Sequence, residues 1–194
     1  PDAGGLYDET ADPYVPVKGW KSAPDPEDVA KAIELLLSAR NPLIYAGEGV
    51  IYAGASAELT SFAELANTPV ISTLKAKGAF PENNPLFVGV RGDQVDEYLA
   101  KSDLILAIGS SLSPGRFSHG IPDAVNKTII HCTVDELHVN KTYATAVALI
   151  GDARFALQAL EKELSDKTSG NGRPPGSVAA EVKSSRDSAM VQYR

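Results

Sequence analysis

Residues 41–50 read NPLIYAGEGV. Asn41-Pro42 is a poor place to continue a helix, because proline has no N–H to donate and also steers the residue before it toward extended backbone. Leu43, Ile44, Tyr45 and Ala46 follow, apolar at every position rather than at alternate ones, and Gly47-Glu48-Gly49 closes the run. A short unbroken apolar run between turn residues is the pattern of a strand buried on both faces, which is the situation of a parallel sheet with helices on either side. The glycine pair marks the turn from strand into helix.

The flanking sequence repeats this unit. Upstream, Asp25 is suited to cap a helix with Pro26 in its first turn, and Val29, Ile33 and Leu36/Leu37 share one face. Downstream, a helix near 55–67 places Leu59, Phe62, Ala63 and Ala66 at helical spacing. Further strands are predicted at 70–72, 86–88, 104–108, 128–132 and 147–150, making six with 43–46. Asp93, Asp96 and Glu97 fall near the start of a short helix, where they meet its positive pole. A last helix, capped by Asp152, turns Ala156/Leu157, Leu160 and Leu164 inward. Alternation of strands and helices predicts an α/β, three-layer, Rossmann-like domain over 25–164. Residues 1–24, with Pro1, Pro13, Pro16 and Pro24, read as an extended linker pinned by Tyr14 and Trp20. Residues 165–194, with Gly170, Gly172, Pro174, Pro175 and Gly176 before a mostly polar run, read as a second linker.

Composition narrows the function. The 194 residues, 43% hydrophobic and 22% charged, suffice for one good core. A net charge of -7 without a basic cluster argues against nucleic acid as a partner. The single cysteine, Cys132, excludes an internal disulfide and fits a reducing, cytoplasmic setting; with three scattered histidines it supplies no zinc set. The longest apolar stretches, such as Leu104 to Ile108, fall far short of a membrane span.

In an open α/β sheet, ligands sit beyond the carboxyl ends of the strands. Here those ends carry Gly47 and Gly49, Thr73 and Leu74 followed by Lys75, Gly89 and Arg91, Gly109 with Ser110-Ser111, Asp135, and Asp152. Small residues admit a ligand to the backbone, cations and hydroxyls suit phosphate, and acids suit ribose. The same residues also simply make turns. The familiar phosphate motifs fail: after Gly47 and Gly49 the next glycine is Gly54, Thr73 stands where an NAD site wants an acid, and Ala55-Ser56 stands where a P-loop wants lysine. Ser110-Ser111 lacks the trailing glycine of a nucleophile elbow. His131 and Cys132 fall in a central strand and read as structural, His138 as a helix-surface residue, and His119, with Arg116, as a loop residue within reach of a ligand.

Taken in order, NPLIYAGEGV, TPVISTLKAKGAFPENNPLFVGVRG, SDLILAIGSSLS, KTIIHCTVDELHVNK and VALIGDARFAL resemble the central domain of thiamine-diphosphate-dependent enzymes of the acetolactate synthase-like family, over roughly residues 24–164. The resemblance implies a parallel sheet of order 3-2-1-4-5-6 and a position between a pyrimidine-binding and a pyrophosphate-binding domain in a parent enzyme that decarboxylates or ligates 2-oxo acids as a homodimer or homotetramer. Thiamine diphosphate and Mg²⁺ would then be held outside this chain, which has no Gly-Asp-Gly motif, so that no residue here is assigned a catalytic or metal-binding role. In flavin-containing relatives the strand-end loops hold FAD, which by similarity gives Gly47, Gly49, Thr73, Leu74, Gly89, Arg91, Gly109, Asp135 and Asp152; other relatives hold ADP or nothing. Two positions depart from the flavin pattern. Ser111-Leu112 stands where Arg-Phe is expected, with Arg116-Phe117 displaced by five, and Thr133-Val134-Asp135 has one acid fewer than Asp-x-Asp. The alternatives are a stand-alone nucleotide-binding or scaffold module, like the FAD domain of electron-transfer flavoproteins, and a sirtuin-like deacylase, for which the zinc cysteines are missing.

Overall fold

The computed structural model describes residues 10, 11, 13, 19, 21–115, 119–174 and 178–192. Tyr14, Trp20 and Arg116-Phe117 lie outside them.

The sheet is six-stranded and built of β1 (Pro42–Ala46), β2 (Val70–Ser72), β3 (Phe87–Gly89), β4 (Leu104–Ile108), β5 (Thr128–Thr133) and β6 (Val147–Ile150). Its order is β3-β2-β1-β4-β5-β6 and every pairing is parallel, as the resemblance implied. Tyr45 pairs with Ala107 and Ala107 with His131, so the run that opened the sequence reading lies in the middle of the sheet.

Helices cover both faces. On one face α1 (Pro26–Ser38), α3 (Ser56–Leu65) and α5 (Ala153–Lys167) pack Ile33, Phe62 and Leu160 against Ile44, Leu106 and Ile130. The caps predicted for α1 and α5 form: Asp25 accepts the Glu27 N–H at 2.8 Å, and Asp152 accepts the Arg154 N–H at 3.0 Å. On the other face α4 (Asp93–Lys101) packs Val95, Tyr98 and Leu99 against Leu43, Tyr45, Ile105 and Ala107. A short helix, α2 (Gly49–Tyr52), which the sequence pattern did not suggest, directly follows the β1 turn.

The stretch 165–194, read as a polar linker, is structured where it is described. The last helix runs on to Lys167, and a further helix, α6 (Val178–Gln192), lies beside α4 and the edge strand β3 with Val182 1% exposed. Between them, Gly172 is a contact and not a loose joint: a Cβ there would lie 2.1 Å from the Leu65 carbonyl oxygen. The Arg173 N–H donates to that same carbonyl at 3.0 Å. At the other end, the Ser22 carbonyl accepts the Asp152 N–H at 2.9 Å, which holds residues 21–24 over the end of β6.

Candidate site at the carboxyl edge of the sheet

The strand order reverses between β1 and β4, so the turn after β1 and the turn after β4 face one another. They are in backbone contact. A Cβ on Gly47 would lie 2.2 Å from the Gly109 oxygen, one on Gly49 2.8 Å from the Gly109 Cα, and one on Gly109 2.7 Å from the Val50 nitrogen. Gly109 also has φ +63°, a conformation that side chains disfavour. These glycines let two turns cross at the switch point, which narrows the crevice there.

The backbone donors there are also engaged. The sheet ladder continues past the strand ends, with Thr73 N–H donating to the Ala46 carbonyl (3.0 Å), Gly47 to Ile108 (2.8 Å), Gly109 to Cys132 (3.0 Å) and Gly151 to Thr133 (3.0 Å). Gly49 N–H donates to the Gly109 carbonyl at 2.8 Å. These N–H groups are therefore not available to a ligand.

An open cleft remains on the β4-β5-β6 side. It has a volume of about 260 Å³, and its walls include Gly49 and Tyr52, Gly109 to Ser111, Thr133-Val134, His138, and Gly151 to Ala153. Of the nine residues named from sequence, Gly49, Gly109 and Asp152 line it. Asp135 sits beside it, capping the 3₁₀ turn Glu136–His138 through the Leu137 N–H (3.0 Å) and lying 3.5 Å from His138. Thr73, Leu74, Gly89 and Arg91 belong to the β2-β3 half and do not line it. Gly47 is buried beneath the crossing. Asp152 has its oxygens committed, one to the α5 cap and the other to Lys21 at 3.2 Å. Sequence reasoning missed Tyr52, Val134 and His138. Tyr52 and Val134 are 80% and 75% exposed, large apolar surfaces beside a cleft, a property that no periodicity reveals.

The two inner titratable groups are inert. His131 is 1% exposed, its Nε2–H donates to the Ser110 carbonyl at 2.7 Å, and burial lowers its pKa from the ordinary value. Burial, with Asp152 second, pushes the Cys132 thiol up to about 12. His119 is anchored rather than free: its Nε2–H donates to the Val90 carbonyl at 2.7 Å, and its backbone N–H donates to the Tyr45 hydroxyl at 3.1 Å. Among the described residues, no three His, Cys, Asp or Glu side chains converge as metal ligands would, and no helix is long and apolar enough to cross a membrane.

Comparison with known proteins agrees with this architecture. The chain is 39% identical over 144 residues to a probable acetolactate synthase large subunit of Methanococcus aeolicus, covering 72% of this chain and 24% of that protein. It is 36% identical to the acetolactate synthase large subunit of Corynebacterium glutamicum (76% and 25% covered) and 32% identical to glyoxylate carboligase of Escherichia coli O157:H7 (84% and 28% covered). The chain thus spans about a quarter of the length of the curated relatives it matches. Benzoylformate decarboxylase from Polynucleobacter necessarius shares the fold, with a TM-score of 0.65 at 21% identity over 84% of this chain and 30% of that one. The sequence profile of the thiamine pyrophosphate enzyme central domain matches residues 29–160, which takes in all six strands, and the chain belongs to that family.

Proposed function

We propose that residues 25–164 serve as the non-catalytic central domain of a thiamine-diphosphate-dependent enzyme that decarboxylates or ligates 2-oxo acids, with pyrimidine-binding and pyrophosphate-binding domains supplied by the rest of a dimeric or tetrameric cytoplasmic parent. The family match over 29–160 carries this reading. In the parent, the cofactor supplies the carbanion chemistry; this chain's residues shape the middle of the subunit.

The carboxyl-edge cleft is the place for an adenine nucleotide. Gly49, Gly109 and Gly151 keep its floor low, Ser110, Ser111 and Thr133 offer hydroxyls, and Val134 and Tyr52 offer apolar surface to a base. Its volume, below the ~300–1,000 Å³ usual for small-molecule sites, suits the adenosine end of ADP or FAD and not a whole dinucleotide. Thermal unfolding of the chain against rising ADP, FAD and thiamine diphosphate tests this. A saturable rise with ADP or FAD, abolished in Val134→Glu, supports the cleft, since that residue is exposed enough to accept a carboxylate without loss of fold. No rise with either, or a saturable rise with thiamine diphosphate, overturns it.

A further inference from the structure

The opposite, amino edge of the sheet holds a second cavity, of about 140 Å³, between the starts of β1 and β2, the end of α4, the segment after α5 and the first turn of α6. Among the described residues, Arg40, Lys101 and Arg173 line it against one acid, Glu181. Its volume is several times the ~30 Å³ that a water occupies in the liquid.

Two of its groups are left wanting. The Arg173 guanidinium is half-buried and donates to the Ala39 carbonyl at 3.0 Å and the Ala66 carbonyl at 3.4 Å, the ends of α1 and α3. A guanidinium has five N–H donors, and among the described residues no carboxylate lies within ion-pair distance of this one. Burial pulls its pKa below the ordinary value, with Asp103 acting in the other direction. Tyr98 is 3% exposed, and its hydroxyl has no hydrogen-bond partner among the described residues. Lys101 is already occupied, 3.6 Å from Glu97 and 3.6 Å above the Tyr98 ring. A water would satisfy the hydroxyl, whereas an acceptor that also carries negative charge would in addition offset the excess of Arg40, Lys101 and Arg173 over Glu181.

We propose that this amino-edge cavity binds a small oxyanion, a carboxylate or inorganic phosphate, held by Arg40, Arg173 and the Tyr98 hydroxyl. The site is at the other end of the sheet from the nucleotide cleft and does not depend on it. Pro42, Leu43, Pro69 and Val178 give it apolar walls, so that a short organic acid fits as well as a bare ion.

The test is thermal unfolding of the whole chain in rising acetate and rising phosphate, with chloride holding ionic strength constant. The expected result is a saturable rise in Tm with at least one of the two, and the tighter one names the ligand class. Arg40→Gln should weaken the apparent Kd about tenfold, the loss expected of one charge-assisted hydrogen bond. Tyr98→Phe should weaken binding while leaving the Tm without anion unchanged or higher, because the empty cavity gives the hydroxyl nothing to lose. Arg173 stays intact, since it also ties two helix ends. Absence of a saturable rise with both anions overturns the proposal, as does a rise unaltered in both variants. Val134→Glu should leave the anion response intact, which separates this outcome from failure of the nucleotide cleft.

Discussion

The two faces of the sheet are covered in different ways. Under α1, α3 and α5 the cover is continuous: the three helices and alternate strand residues share one buried cluster, and α5 packs against both α1 and α3. Under α4 the cover is assembled from pieces, a nine-residue helix, the loop residues Leu112 and Ile121, and α6. α6 buries Val182, packs Val178 and Ala179 at its first turn against the edge of the core, and is held further along by polar contacts, Gln94 to Ser185 at 3.1 Å and Arg186 to the Asn84 carbonyl at 3.3 Å. The first face is a continuous apolar core, whereas α6, at the outer part of the second, has few buried apolar side chains and is the element expected to open at the lower free energy.

Phe62→Ala should show the largest effect, a loss of ~3–5 kcal/mol in urea unfolding, because it empties a fully buried aromatic position in the core of the first face. Val182→Ala should cost less, about 1–2 kcal/mol, and its signature should be local: amide exchange faster in 178–192 and unchanged in β1 and β4. Equal losses of protection throughout the domain in the two variants would break the distinction between faces. Arg186→Ala should be smaller still, about 1 kcal/mol or less, since it removes neutral-acceptor hydrogen bonds from a half-buried site. A Val182→Ala, Arg186→Ala double variant that exceeds the sum would show that the two contacts hold α6 together.

The same asymmetry governed what the sequence could disclose. Residues 43–46 and 104–108 announced themselves because a strand buried on both faces must be apolar throughout, and Asp25 and Asp152 because a helix start needs a side-chain acceptor. α6 was hidden because one buried valine among polar neighbours makes no periodic stripe, and because Gly172 was read as looseness when its missing Cβ permits contact with Leu65. At the carboxyl edge the strand-end residues were located correctly in the chain, but their roles were not visible there. Gly47 and Gly109 are 62 residues apart in number, and only the parallel pairing of β1 with β4 shows that each is small for the sake of the other. Tyr52 and Val134 could not be told from core residues by type; their exposure makes them candidates.

Cys132 gives the finest test, because it lies on the first face at the end of β5, fully buried, with its thiol pushed up to about 12. In the native chain it should be almost unreactive toward a thiol reagent near neutral pH, for lack of both access and thiolate. Because Cys132 also borders the carboxyl-edge cleft, labelling reports loosening of the first face or of that cleft. Val182→Ala, which frees α6, should leave the labelling rate in native buffer close to that of the parent chain, while Phe62→Ala should raise it by orders of magnitude, as the open population follows the lost stability. A Val182→Ala rate that rises as steeply as its global stability falls would mean that α6 and the α1-α3-α5 face open together, and that both faces form one cooperative unit.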